Sequence, residues 1–557
     1  MTSAMVRHHA DFSLGGAAFP SSQRRGGAKR RGGQFGEIEG CRSDHPVCAA
    51  AVASRHPLGG AATPPLRGGE SVKTSPFRLA ILILILAACS CSRSTSSASS
   101  ADTLEVAAKP DAPVRRLDLT YEKPVVGAKV RAVASDLPAG KIVDLKWSTV
   151  TGGWVIEDYY YFRGKKYSEA TSSLGKFPVN SNGRLDARFT IPEDYGGVHD
   201  VIAMIDDKTV AQNGIEVTQS FEMTPLSGPI GTPIELRVKG LGWRTMENTW
   251  VVNWDNRAVG FITAVGTKGS AVARFRAVGP VGDHPVKIYT GWQGQSYLNF
   301  QQAPNAYLPR PDFTFHTTPG RFPGPATYAE PYATYALPET EIQIPNARLS
   351  LQPSQGPVGT HAKLTGEGFP ANATLDVYWQ SYVGSRVSGN GYAPQQTAIG
   401  KVEVAKDGRI EFPLIVPEDL GGQHALELRD GRKPVGRIYF AIETSIVSMT
   451  PTSGPAGTPV TIHLKGVGWT EYDNIYAATY DNAYMGYACG FNTQGDVVIN
   501  FKAAGEPGEH LIDLFPGIYQ GPPKETQLLY RIPQLTYADD HPGNKIPALH
   551  FKFEVTH

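Results

Sequence analysis

Cysteine is scarce. The 557 residues hold five, Cys41, Cys48, Cys89, Cys91 and Cys489, and only Cys489 lies in the part that reads as folded. One thiol builds neither a disulfide framework nor a thiolate metal cluster. Catalytic signatures are missing as well. There is no Gly-x-Ser-x-Gly, no His-Glu-x-x-His, no glycine loop before a helix to cradle phosphate, and no Cys/His pair in the folded region. Cys489 has no identified base to make it a nucleophile. The chain therefore reads as a non-enzyme that needs no cofactor. Excess charge of one sign is also lacking, with 53 Lys+Arg against 52 Asp+Glu. The first 71 residues carry nine cations against five acids, so the remainder is slightly acidic, and nucleic acid is not an expected partner. Long helices are disfavoured by 60 Gly and 43 Pro, which break a chain into short elements joined by turns.

What is present begins with a leader. Residues 72–91 carry Lys73 and Arg78, an apolar run from Leu79 to Ala88, and then Cys89. A helix needs about 20 apolar residues to cross a bilayer core, so this shorter run reads as the core of an export signal and not as a permanent span. Its ending, Leu86-Ala87-Ala88-Cys89, resembles the lipobox of bacterial lipoproteins. The resemblance implies cleavage before Cys89 and lipidation of its thiol, with an anchor worth about 0.8 kcal/mol per buried methylene. Ser90, following Cys89, carries no inner-membrane retention signal by the same resemblance, so the outer membrane is the expected destination. Residues 1–71 are Gly-, Arg- and Ala-rich and aperiodic. They read as a disordered stretch upstream of the true start, which is expected at Val72. Residues 89–114, rich in Ser, read as a flexible tether.

The folded part is a duplication. Ser227-Gly-Pro-Ile-Gly-Thr-Pro-Ile-Glu-Leu-Arg-Val-Lys-Gly-Leu-Gly-Trp243 recurs as Ser453-Gly-Pro-Ala-Gly-Thr-Pro-Val-Thr-Ile-His-Leu-Lys-Gly-Val-Gly-Trp469, and the same spacing carries Asp255-Asn256 onto Asp481-Asn482 and His284 onto His510. A weaker pair relates Trp147 to Trp379 and Pro192-Glu-Asp-Tyr-Gly-Gly-Val-His199 to Pro417-Glu-Asp-Leu-Gly-Gly-Gln-His424. The order is A-B-A′-B′, with modules at 115–219, 220–318, 347–444 and 445–557 and a Pro/Tyr-rich linker at 319–346. All four share a turn glycine (Gly183, Gly269, Gly408, Gly495) ahead of a histidine (His199, His284, His424, His510). Apolar residues stand two, four and six places after each glycine: Leu185-Ala187-Phe189, Ala271-Ala273-Phe275, Ile410-Phe412-Leu414 and Val497-Ile499-Phe501. Period two is the signature of a strand with one buried face. The fold class is thus all-β, with four tandem immunoglobulin-like β-sandwiches of about 100 residues each. The Ser-Gly-Pro-x-Gly-Thr opening with its Gly-x-Gly-(Trp/Phe) close, present in B, B′ and as Gln355-Gly-Pro-Val-Gly-Thr in A′, is similar to IPT/TIG-type domains. Module A lacks the Ser-Gly.

Each histidine is followed by apolar residues at plus two and plus four, which turns its ring to the core, so His199, His284, His424 and His510 read as structural. A ring bonded to nearby backbone through one nitrogen would play the part of the tyrosine corner of immunoglobulin folds. No metal is expected. Glu193-Asp194 and Glu418-Asp419 are weak calcium candidates, because a hard cation wants oxygen ligands on a turn, and a solvated turn is the simpler reading. The aromatic insertion at 154–167 contains Trp154, Tyr159, Tyr160, Tyr161 and Tyr167. Strand alternation can bury only every second ring, so part of this set is expected to meet another module or a ligand such as a sugar face. The linker, with Tyr328, Tyr332 and Tyr335, is expected to run extended on a module surface or between modules. The whole reads as an exported, lipid-anchored, non-catalytic surface protein for binding, adhesion or envelope scaffolding. Its expected partners are a protein or a polysaccharide, and an alternative is polysaccharide binding through the insertion.

Overall fold

The structure is a computed structural model that describes residues 114–157, 161–292, 294–302, 307–385, 391–490, 493–518, 532–543 and 546–557. The leader, the signal segment, Cys89, the tether up to residue 113, and Tyr159 and Tyr160 lie outside the described residues.

Four two-sheet sandwiches follow one another, and among the described residues the only helical element is a 3-10 turn at Phe300–Gln302. Each sandwich pairs a three-stranded sheet with a larger one. In A the small sheet is Asp118–Thr120, Lys129–Ala134 and Leu185–Thr190. In B it is Ser220–Thr224, Pro233–Lys239 and Ala271–Arg276. A′ builds it from Arg348–Gln352, His361–Glu367 and Ile410–Ile415, and B′ from Ser445–Thr450, Pro459–Lys465 and Val497–Lys502. The register follows the sequence pattern: Ala187 lies opposite Ala132, Ala273 opposite Leu236, Phe412 opposite Leu364 and Ile499 opposite Ile462. These apolar residues face the core of their sandwich, while the residues between them face outward. Burying one such aliphatic side chain stabilises by roughly 1.5–3 kcal/mol, which is why a one-residue slip is not tolerated.

The linker belongs to the sheets. Thr327–Ala329 pairs with Leu549–Thr556 at the edge of the large B′ sheet, and Glu341–Ile342 pairs with Lys433–Glu443 at the edge of the large A′ sheet. Between them, Tyr332 stacks on Tyr335 and its hydroxyl accepts the Thr444 N–H at 2.6 Å. Prolines suit such edges because they have no N–H to contribute to a ladder.

The core of B extends into B′, which also keeps a core of its own. Trp254, Phe275 and Phe315 of B lie in the same apolar cluster as Leu511, Phe515, Leu535, Tyr537 and Ala548 of B′. The B′ segment 532–543 extends the edge of B like an added strand. The Phe261 N–H donates to the Pro533 carbonyl at 2.8 Å, the Leu535 N–H to the Phe261 carbonyl at 2.9 Å, and the Arg274 N–H to the Leu535 carbonyl at 2.9 Å. Asp540 then accepts the Val265 and Gly266 N–H groups, both at 2.7 Å.

Candidate functional site

The recurring motif residues form corners and joints. At each corner an imidazole stacks on an aromatic ring: His199 on Trp147, His284 on Trp254, His424 on Trp379 and His510 on Tyr480. In every copy Nε2 faces the carbonyl four residues earlier, at Tyr195, Pro280, Leu420 and Glu506, within 2.7–2.8 Å. Both ring nitrogens are engaged rather than one. Nδ1 faces a backbone carbonyl in A and A′ (Ser148, Gln380) and a carboxylate in B and B′ (Asp255, Asp481). Its hydrogen bond to Asp481 raises the pKa of His510. The turn residues Asp255-Asn256 and Asp481-Asn482 all have positive φ, the geometry of a tight hairpin, and the two carboxylates lie at the Nδ1 edge of the rings.

The Glu-Asp pairs separate. Glu193 and Glu418 are exposed, and Glu418 pairs with Lys465. Asp194 and Asp419 are buried. Their Oδ2 atoms accept the indole N–H of Trp147 at 2.9 Å and of Trp379 at 2.8 Å, and their Oδ1 atoms accept the next backbone N–H. Asp419 also accepts Ser381 Oγ–H at 2.7 Å and the Gln494 amide at 2.9 Å. With these lone pairs committed, the two members of each pair do not converge on one cation, and among the described residues no three acidic, His or Cys side chains cluster as metal ligands.

The glycines after these pairs make the joints. Gly196 lies against Gly242 and Gly421 against Gly468 as isolated parallel bridges, with the Gly196 N–H donating to the Leu241 carbonyl and the Gly421 N–H to the Val467 carbonyl. A Cβ on Gly196 would be driven into the Gly240 carbonyl oxygen, and one on Gly421 into that of Gly466. Bare backbone is therefore required at Gly196 and Gly421, while a Cβ on Gly242 or Gly468 would meet Glu247 or Asp473 of its own module. The tryptophan that ends each Gly-x-Gly-Trp motif then reaches back into the preceding module. Trp243 packs edge-on to Tyr195 and His199, while Trp469 stacks on Tyr382 at 3.8 Å.

Below the second joint, Asp473 is buried, accepts the Thr470 N–H at 2.6 Å, and is pushed up to about 7 by burial. Glu247, its counterpart in B, is held by Arg244 at 3.0 Å and by the Tyr307 hydroxyl at 2.5 Å. Because the unfolded chain ionises Asp473 near 3.8 and the folded chain only near 7, stability is lost as pH rises from about 4 to 7. Asp473→Asn is therefore expected to raise stability at pH 8 by about 2–4 kcal/mol and to change it little at pH 4, as read from urea melts at the two pH values.

The aromatic insertion of A is the long hairpin of Ile142–Glu157 and Tyr161–Pro178, which reaches the B/B′ seam. Phe162 is fully buried beside Val251, Phe261 and Ile518, with Trp154 and Ile532 packed against them. The Trp154 indole donates to Asp540 at 3.1 Å, and the Phe162 N–H donates to Glu471 at 2.8 Å. Lys165 donates to the Asn248 carbonyl and the Thr249 hydroxyl, and burial brings its ammonium down to about 7. Tyr167 packs edge-on to Tyr195. Tyr161 is half-buried under the Arg163 guanidinium. Of the five rings proposed for a ligand, the structure thus turns Trp154 and Tyr167 inward and brings neither to an open face.

No family model matches the chain, and no curated protein does. Solved structures give weak likenesses. Dimeric latent PorU from Porphyromonas gingivalis is 13% identical over 59% of this chain and 34% of its own, with a TM-score of 0.14. The chain thus spans about a third of PorU. The ICAM-5 D1–D4 ectodomain fragment is 12% identical over 75% of this chain and 99% of its own, with a TM-score of 0.16. The D0–D1 domain of intimin is 11% identical over 37% and 97%, with a TM-score of 0.13. At such TM-scores these likenesses carry no inference about this chain, and the immunoglobulin-like sandwich architecture rests on its own sheets.

Proposed function

We propose that the chain is an exported, lipid-anchored display protein that binds or scaffolds at the cell envelope and performs no catalysis. The Leu86-Ala87-Ala88-Cys89 ending ahead of a Ser-rich tether and four sandwich modules carries the reading. The motif side chains that recur across modules support it. The histidines, Asp194, Asp419 and both Gly-x-Gly-Trp segments serve corners and joints, which is what a protein selected to hold a surface in place would repeat. The modules are of IPT/TIG type, and their unrepeated loops and edges supply the recognition surface. Two acyl chains on Cys89 would hold the chain stably on the bilayer, since one alone binds only marginally. Labelled palmitate fed to producing cells is expected to enter the wild-type chain and not Cys89→Ala. Absence of label from the wild type, or its retention in Cys89→Ala, contradicts the anchor.

A further inference from the structure

B and B′ bring equivalent loops face to face. The turn at Asp255 and the loop 278–281 of B lie across from the turn at Asp481 and the loop 505–510 of B′, with the linker residues Gly320 and Arg321 at the rim. They enclose a cavity of about 580 Å³, within the range of small-ligand sites. The charges that line it fall into two groups. Asp255 is committed to His284, Asp481 to His510, and Glu509 to Lys552 and the Phe322 N–H. Arg257, from B, and Glu506 and Glu554 of B′ form no ion pair among the described residues, and Arg321, from the linker, forms none either, though its charge acts on Glu509.

We propose that this seam is a binding site for an extended peptide segment of a partner protein that carries one acidic and one basic side chain close together. The guanidinium forks of Arg257 and Arg321 take the carboxylate, which they match in shape and charge. Glu506 and Glu554 take the ammonium or guanidinium. The two cations come from B and its linker and the two anions from B′, so the site exists only where the duplicated modules meet. The peptide's origin in an envelope partner rests on the display reading above, whereas the site is a property of the purified chain and is tested apart from lipidation.

Calorimetric titration of the purified full chain with acetyl-Lys-Gly-Glu-amide, acetyl-Gln-Gly-Glu-amide and acetyl-Lys-Gly-Gln-amide tests it. The first peptide is expected to bind, and each neutralised peptide to bind about threefold more weakly. Arg257→Gln/Arg321→Gln is expected to abolish the preference for Glu over Gln in the peptide while keeping the preference for Lys. Glu506→Gln/Glu554→Gln is expected to do the reverse. All four positions are exposed, so the variants are expected to melt as the wild type does. No binding by any peptide, equal binding by all three, or preferences unchanged in both double variants would overturn the proposal.

Discussion

Replacing Arg276 by alanine is expected to cost about 3–5 kcal/mol, because it strips the only guanidinium from a buried charge cluster between B and B′. Arg276 Nη2 lies 2.5 Å from Asp513 Oδ1 and donates to the Phe551 carbonyl at 3.2 Å. The same carboxylate oxygen faces His550 Nδ1 at 2.6 Å, while His550 Nε2 faces Glu330 of the linker at 3.1 Å and the Tyr537 hydroxyl donates to Glu330 at 2.5 Å. Arg276 and Asp513 are both almost wholly buried. Burial opposes ionisation of Asp513, but Arg276 and His550 together hold its carboxyl below the usual range. Burial likewise opposes protonation of His550, and Asp513 overcomes it and raises the ring. The signs bound a pH window. The contribution of Asp513 is present above about 4 and lost as pH falls through its lowered pKa, while that of His550 is present below about 6.5 and lost as pH rises through its raised one. The wild type should therefore lose part of its seam stability on both sides of that window. Arg276→Ala should show a lower denaturation midpoint throughout, measured by urea titration with Phe515 and Tyr537 at the seam as the region monitored.

A second large effect is expected from Gly421→Ala. The added methyl would meet the Gly466 carbonyl oxygen directly, so the A′ and B′ backbones must part and surrender the Gly421 N–H to Val467 carbonyl bond. Overpacking of this kind costs about 1–3 kcal/mol, and a lost bond to a buried carbonyl adds about 1 kcal/mol more. The Tyr382–Trp469 stack should loosen with it, visible as a red shift and quenching of tryptophan fluorescence relative to the wild type. Gly431→Ala is the comparison for a glycine outside the joints, since a Cβ there meets nothing within 4 Å, and its cost is expected to be confined to the positive φ at that position.

The sandwich strands were legible because period-two alternation is a local signal. Leu185, Ala187 and Phe189 need only a sheet to explain them. The duplication was legible for the same reason, as side-chain identity at fixed spacing. The roles of Gly196 and Gly421 are not legible along the chain, because a glycine required for close approach between two modules looks like a turn glycine when each module is considered alone. Their recurrence in both halves, beside a Gly-Gly with no hairpin to make, was the available signal. The charge cluster left still less trace. Arg276 stands where B′ has Lys502, and nothing along the chain shows that one is buried and the other exposed. Strand alternation in the insertion calls for a partner outside its own sheet for some of its rings, and the B/B′ seam supplies one for Trp154 and Phe162.

The central claim is that the joints and the apolar B/B′ seam hold the four sandwiches in fixed relation, so that they present one surface and not four beads. Pulsed electron spin resonance between labels on Val198→Cys in A and Val447→Cys in B′, both exposed positions, tests this most directly when every other cysteine is replaced by serine. A single narrow distance distribution, unchanged by salt, is the result expected of fixed modules. A broad distribution of the width given by a flexible linker would contradict it.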